Sequence, residues 1–133
     1  MPVRAVYDAN ILISGLIFDG RPGRCLDAVA SGQVECYTCS SILGEVADKL
    51  SHKFRHSAAQ LADELVWCVQ HLHFVEPAGT LRGVCRDPED DVILECAVLA
   101  SAQFLVTGDA ALLVLKRHEA VEIVTPASFL GRL

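Results

Sequence analysis

The sequence predicts an α/β domain built on a mainly parallel sheet. Three observations lead there. Short runs rich in Val, Ile, Tyr and Thr alternate with stretches whose apolar residues recur at helical spacing. No linker, internal repeat or low-complexity tract interrupts the 133 residues, so one core is expected to span 1–133. Apolar residues make up 52% of the chain and charged residues 21%, a balance that favours a folded globular domain over a disordered one.

Val3 to Tyr7 reads as the first strand, with Asp8 and Asn10 where a helix begins. Arg21-Pro22-Gly23 opens a second helix that runs to about Gly32, since proline is tolerated where the first N–H would be unpaired anyway. Val34 to Thr38 forms the next strand, and Ser40 or Ser41 is expected to cap the helix behind it. That helix carries Ile42, Leu43, Val46 and Leu50 on one face. At about 100° per residue, Glu45 falls roughly 115° from the centre of this stripe, on its border, while Asp48 points to water. Leu61, Leu65, Cys68 and Leu72 mark a further amphipathic helix by their i, i+4, i+7, i+11 spacing.

Asp87-Pro88-Glu89-Asp90 is a strong helix start, with Asp at the cap, Pro next and acids in the first turn. The helix should reach about Ser101, with Asp91 and Glu95 on a solvated face. Gln103 to Val106 is a strand, Asp109 opens a short helix, and Val121 to Val124 is the last strand. Thr125-Pro126 starts the C-terminal helix.

A net charge of −6 excludes a simple basic nucleic-acid-binding surface. It does not exclude an enzyme whose acids gather around cations, because bound metal inverts the local charge. The longest apolar runs, such as Ala110 to Leu115, are far short of a membrane span. The N-terminus enters a strand pattern at once, without a leader pattern, which places the protein in the cytoplasm. Cys36-Tyr37-Thr38-Cys39 has the short spacing of redox and zinc sites, but no second pair completes a zinc site. Cys25, Cys68, Cys85 and Cys96 lie in apolar stretches, where cysteine packs as a small hydrophobe.

Asp8 and Asp109 closely follow strands, and Asp90 sits in a helix's first turn. In an open parallel sheet, ligands bind beyond the carboxyl ends of the strands, near helix N-termini. Glu45 can join from the border of its helix. Four carboxylates in one pocket repel unless cations lie between them, and magnesium or manganese prefers oxygen ligands. Such ions can activate water against a phosphodiester. A plainer reading remains open on spacing alone: the aspartates as helix caps, and Glu45 paired with Lys49 at i, i+4.

Val6-Tyr7-Asp8-Ala9-Asn10-Ile11-Leu12-Ile13-Ser14 resembles the opening of PIN-domain ribonucleases, a strand followed by Asp-Thr/Ser-Asn. Ser41-Ile42-Leu43-Gly44-Glu45-Val46 resembles their second motif, which supplies a Glu. Arg86-Asp87-Pro88-Glu89-Asp90-Asp91 looks like the third, Val106-Thr107-Gly108-Asp109 like the fourth, and Ile123-Val124-Thr125-Pro126 like the closing stretch. The match covers almost the whole chain and is similar to the branch of toxins from toxin–antitoxin pairs. The resemblance implies a three-layer α/β/α fold and magnesium- or manganese-dependent cleavage of single-stranded RNA. It implies a homodimer and an antitoxin protein as partner, while the short apolar runs imply no membrane association. It gives Asp8, Glu45, Asp90 and Asp109 as catalytic metal ligands, with Asn10 and Thr107 as supporting polar groups. Ala9 stands where the family usually has a hydroxyl residue, and Ala111 where many relatives have another Asp; Asp91 is a candidate to compensate as a further ligand.

Ser51-His52-Lys53-Phe54-Arg55-His56 is the one basic, aromatic-containing loop, and phosphate contacts favour Lys and Arg. Lys53 and Arg55 are therefore candidate RNA contacts, with Arg21 and Arg24 as weaker ones and Lys116 and Arg117 behind them. His71, His73 and His118 read as structural or exposed. Two alternatives share part of the pattern. A haloacid-dehalogenase-type phosphohydrolase needs a second acid where Asn10 stands, and a further acid after Gly108-Asp109 that is missing. A PIN scaffold that only binds RNA or a partner would retain the fold without the chemistry.

Overall fold

The computed structural model describes residues 1–133. Six strands form one sheet: β1 (Val3–Tyr7), β2 (Val34–Thr38), β3 (His73–Phe74), β4 (Phe104–Val106), β5 (Arg117–His118) and β6 (Val121–Val124). Their spatial order is β3-β2-β1-β4-β6-β5, parallel throughout except for the antiparallel β5–β6 pair. Seven helices cover the sheet: α1 (Ala9–Ile17), α2 (Arg21–Ala30), α3 (Ser40–His52), α4 (Ala58–His71), α5 (Pro88–Leu99), α6 (Ala110–Leu113) and α7 (Pro126–Gly131). This is the expected α/β/α layering around a mainly parallel sheet. None of the helices is long and apolar enough to cross a membrane.

β1 lies at the centre because its residues tolerate burial from both sides. Ala5, Val6 and Tyr7 are fully buried, as are Leu105 and Val106 of neighbouring β4. The Tyr7 hydroxyl donates to the Cys25 carbonyl of α2 at 2.9 Å, and its ring meets Phe129 of α7 edge-on at 5.7 Å. Gly15 lets α1 lie directly on α2, since a Cβ there would come within 2.6 Å of the Leu26 side chain and 2.8 Å of the Pro22 carbonyl.

Several local expectations change. Cys39, not Ser40 or Ser41, precedes the first turn of α3 and gives it no side-chain cap. Ser40 is drawn instead to Glu76, which accepts from both its N–H and its hydroxyl. The two-residue strands β3 and β5 have no counterpart in the sequence reading, being too short to show a period. All six cysteines are free thiols, five of them buried, as expected of small core residues.

The largest correction concerns Asp91 and Glu95. Rather than facing water, they are only 4% and 5% exposed, because α5 is buried around most of its circumference from Asp90 to Ala97. They hold the irregular segment 75–87. Glu95 accepts from the N–H groups of Ala78 (2.6 Å), Gly79 (3.2 Å) and Leu81 (2.8 Å). Asp91 accepts from Gly83 (3.0 Å) and Cys85 (2.7 Å). These hydrogen bonds keep both carboxyls below the usual carboxylate range.

Candidate active site

The parallel register sets the site. Tyr7 pairs with Val106 and Val106 with Val124, so the residues just beyond β1 and β4 emerge side by side. Asp8 continues the ladder by donating its N–H to Val106, and Thr107 donates its own to Val124. Asp8 then turns the chain into α1: its Oδ1 accepts from the Ile11 N–H at 3.0 Å, an N-cap. Its Oδ2 accepts from the Thr107 hydroxyl. The same hydroxyl accepts from the Asp109 N–H at 3.0 Å, and Asp109 caps α6 through Ala111 at 2.9 Å. Thr107 thus ties two of the acids together, a supporting role that fits its expected place.

Asp8, Glu45, Asp90 and Asp109 line one cleft of about 490 Å³, together with Asn10, Asp48, Asp87 and Glu89. Four separate segments supply the four motif acids; Asp8 and Asp109 cap helices while lining the cleft, whereas Asp90 lies inside α5, whose cap is Asp87. Asp8 and Asp90 are buried, at 5% and 8% exposure, whereas Asp109 is exposed and Glu45 half-buried. Burial, opposed in part by the Thr107 and Ile11 hydrogen bonds, pushes the Asp8 carboxyl up; Glu45 and Asp109 add to the rise. Burial, then the charges of Asp109, Asp87 and Asp8, raises Asp90 to about 6. Glu45 also makes the i, i+4 pair with Lys49, at 3.1 Å.

The donor set fits a hard divalent cation: oxygen ligands only, two of them held by backbone caps, and burial that, with neighbouring like charges, drives two of the acids toward protonation. As the side chains stand, no three of the acids converge on one point at coordination distance. Asp91 is corrected as a ligand. It lies outside the cleft with both oxygens committed to Gly83 and Cys85, so it does not compensate for Ala111.

None of the candidate RNA-contact residues lines this cleft. Lys53 and Arg55 are exposed beyond α3, with Lys53 over the Phe54 ring, and Arg21 is exposed at the start of α2. Arg24 belongs to a separate cleft with Asp19, Asp27, Glu64 and Trp67. Asp48, Asp87 and Glu89 are cleft residues that the sequence reading did not place in the site, assigning Asp48 to water, Asp87 to the helix cap and Glu89 to the first turn; their signal was only proximity to the motif acids.

Fold and cleft define an α/β domain with an acid-lined site at the carboxyl ends of its central parallel strands. The chain belongs to the PIN-domain family, whose sequence pattern matches residues 4–111. An uncharacterized protein of Methanocaldococcus jannaschii is 31% identical over 121 residues, covering 86% of this chain and 76% of its own. Among solved structures, the crystal structure of VapBC2 from Rickettsia felis bound to a DNA fragment from their promoter contains a chain that superposes with a TM-score of 0.67. The identity is 17%, and the match covers 92% of this chain and 98% of that one. At that identity the likeness speaks for the fold. The phosphohydrolase alternative falls with the family assignment.

Proposed function

We propose that the protein is a metal-dependent endoribonuclease that cleaves single-stranded RNA, acting as the toxin of a toxin–antitoxin pair. The observation that carries the reading is the convergence of Asp8, Glu45, Asp90 and Asp109 on one cleft from four separate segments. These four would hold magnesium or manganese, which when bound supplies Lewis acidity and lowers the pKa of water. The protein's own part is placement. The Ile11 N–H and the Thr107 hydroxyl fix Asp8, and the Ala111 N–H fixes Asp109. The floor formed by Ala9, Ile42 and Ile93 gives the acids an apolar backing.

Cleavage of a single-stranded RNA should need manganese or magnesium and stop in chelator. Asp8→Asn or Asp109→Asn should each lower it by about 100-fold or more, because ligands act as a unit. Undiminished cleavage by either variant, or in excess chelator, overturns the mechanism. Absence of cleavage at any metal concentration, with RNA binding retained, favours the binding-only scaffold.

An antitoxin partner is supported by the PIN fold's presence in the VapBC2 complex. Exposed large apolar residues, among them Phe18, Val66, Val69, Leu99 and Val114, offer surface for that contact and for a homodimer. Light scattering at micromolar concentration tests the dimer, a strict monomer counting against it. Co-purification with the product of an adjacent reading frame tests the antitoxin.

A further inference from the structure

Seven carboxylates line the acidic cleft, and no Lys or Arg is among its lining residues. Of the seven, only Glu45 has a salt-bridge partner. That partner, Lys49, is anchored twice: its Nζ lies 3.1 Å from Glu45 Oε1 on α3 and 3.0 Å from Asn10 Oδ1 on α1. An i, i+4 pair on a free helix surface is loose and contributes little. Here the second anchor, on a different helix, fixes the ammonium against two cleft-lining residues, Glu45 and Asn10. The hydrogen-bonding of Glu45 is thereby directed to Lys49 and not to any aspartate of the site.

We propose that Lys49 is a resident counter-cation that holds Glu45 and competes for it with the divalent ion, so that this site binds metal more weakly than its four acids allow. The inference rests on the metal-site reading above. The physical basis is charge. A divalent ion at the cleft brings two positive charges next to a third that cannot leave its backbone tether, and like charges at such separations repel even where water screens them. Glu45 Oε1 must in addition divide its negative charge between the two cations. Removing the ammonium relieves both effects, at the smaller cost of letting the Glu45 and Asn10 side chains rotate.

The test is manganese binding by the whole protein, titrated by electron paramagnetic resonance, with thermal melts in chelator confirming that each variant is folded. Lys49→Met removes charge and hydrogen bonds; Lys49→Gln removes the charge but retains a donor for Asn10 and Glu45. Both should bind manganese about three- to tenfold more tightly than the wild type. Arg4→Met, which deletes a positive charge at the opposite end of β1, should leave the affinity unchanged. Equal or weaker binding by both Lys49 variants, with wild-type binding intact, overturns the proposal and leaves the metal-site reading standing. Equal tightening by Arg4→Met also overturns it, because net charge would then be the cause. No binding by the wild type removes the metal-site reading and this proposal with it.

Discussion

Asp90 is a carboxyl held above its ordinary 3.8, at about 6, by burial and by the charges of Asp109, Asp87 and Asp8. In the metal-free native protein it keeps its proton up to about pH 6, whereas the unfolded chain gives it up near pH 4. The native state therefore binds more protons between those values, and stability rises as pH falls through 6. Asp8 is shifted in the same direction. Asp91 and Glu95 act oppositely: their lowered pKa values stabilise the protein above the ordinary carboxylate range and lose that effect below it. Melts in chelator should thus show maximum stability between about pH 4 and 6. Asp90→Asn should flatten the limb above that maximum, and an unchanged limb would mean Asp90 is not the titrating group. Thr107→Val leaves the Asp109 N–H without its acceptor and Asp8 Oδ2 without its donor, at a cost of about 1–3 kcal/mol. It should also weaken manganese binding by about 10–100-fold, with Thr107→Ser restoring most of both. At this scale the sequence was informative. Asp8 and Asp109 were legible from strand ends, and Glu45 from the border of its stripe. The hydroxyl link through Thr107 rests on the β1–β4 register, which no local pattern encodes.

Among the elements, α5 is the one whose faces could not be read in advance. It buries Ile93, Leu94, Cys96 and Ala97 together with Asp90, Asp91 and Glu95, so apolar and acidic residues alternate around the wheel without a stripe. Asp91 is adjacent to Asp90 in sequence, about 100° away on the helix, and that rotation turns it from the cleft to segment 75–87. Glu95→Gln replaces an acceptor-only group with one whose NH2 must face at least one of the three backbone donors. The cost should be about 1–3 kcal/mol. Hydrogen exchange at Ala78, Gly79 and Leu81 should accelerate more than at amides of β1, and uniform change across the protein would argue against a local anchoring role. Gly15→Ala should separate α1 from α2 and destabilise by about 1–3 kcal/mol in thermal melts. Strands β1, β2, β4 and β6 announced themselves by runs of apolar and β-branched residues, whereas β3 and β5 depend on neighbours for their pairing.

For the whole molecule, a divalent cation held in the acid cluster, as proposed above, should stabilise the folded state. Manganese at about a hundredfold excess over its dissociation constant should add roughly 2.7 kcal/mol. For a domain of this size that corresponds to a melting shift on the order of 10 °C. Asp109→Asn should lose most of the shift while its metal-free form is as stable as the wild type or more so, since Asn caps α6 as well as Asp and carries no charge. Negligible shifts in both proteins would mean that helix caps and unrelated acids, not a metal site, share the cleft. The order of the strands has a further consequence, in time rather than in space. β1 is made before either of its two neighbours, β2 and β4, and β4 is closed on its far side by β6. Asp8 meets its hydroxyl donor only when a residue 99 positions later has emerged and paired. A nascent chain, or one terminated before β4, carries Asp8, Glu45 and Asp90 without the frame that aligns them. The cleft therefore cannot form during synthesis until β4 and Thr107 have followed β1 into the sheet.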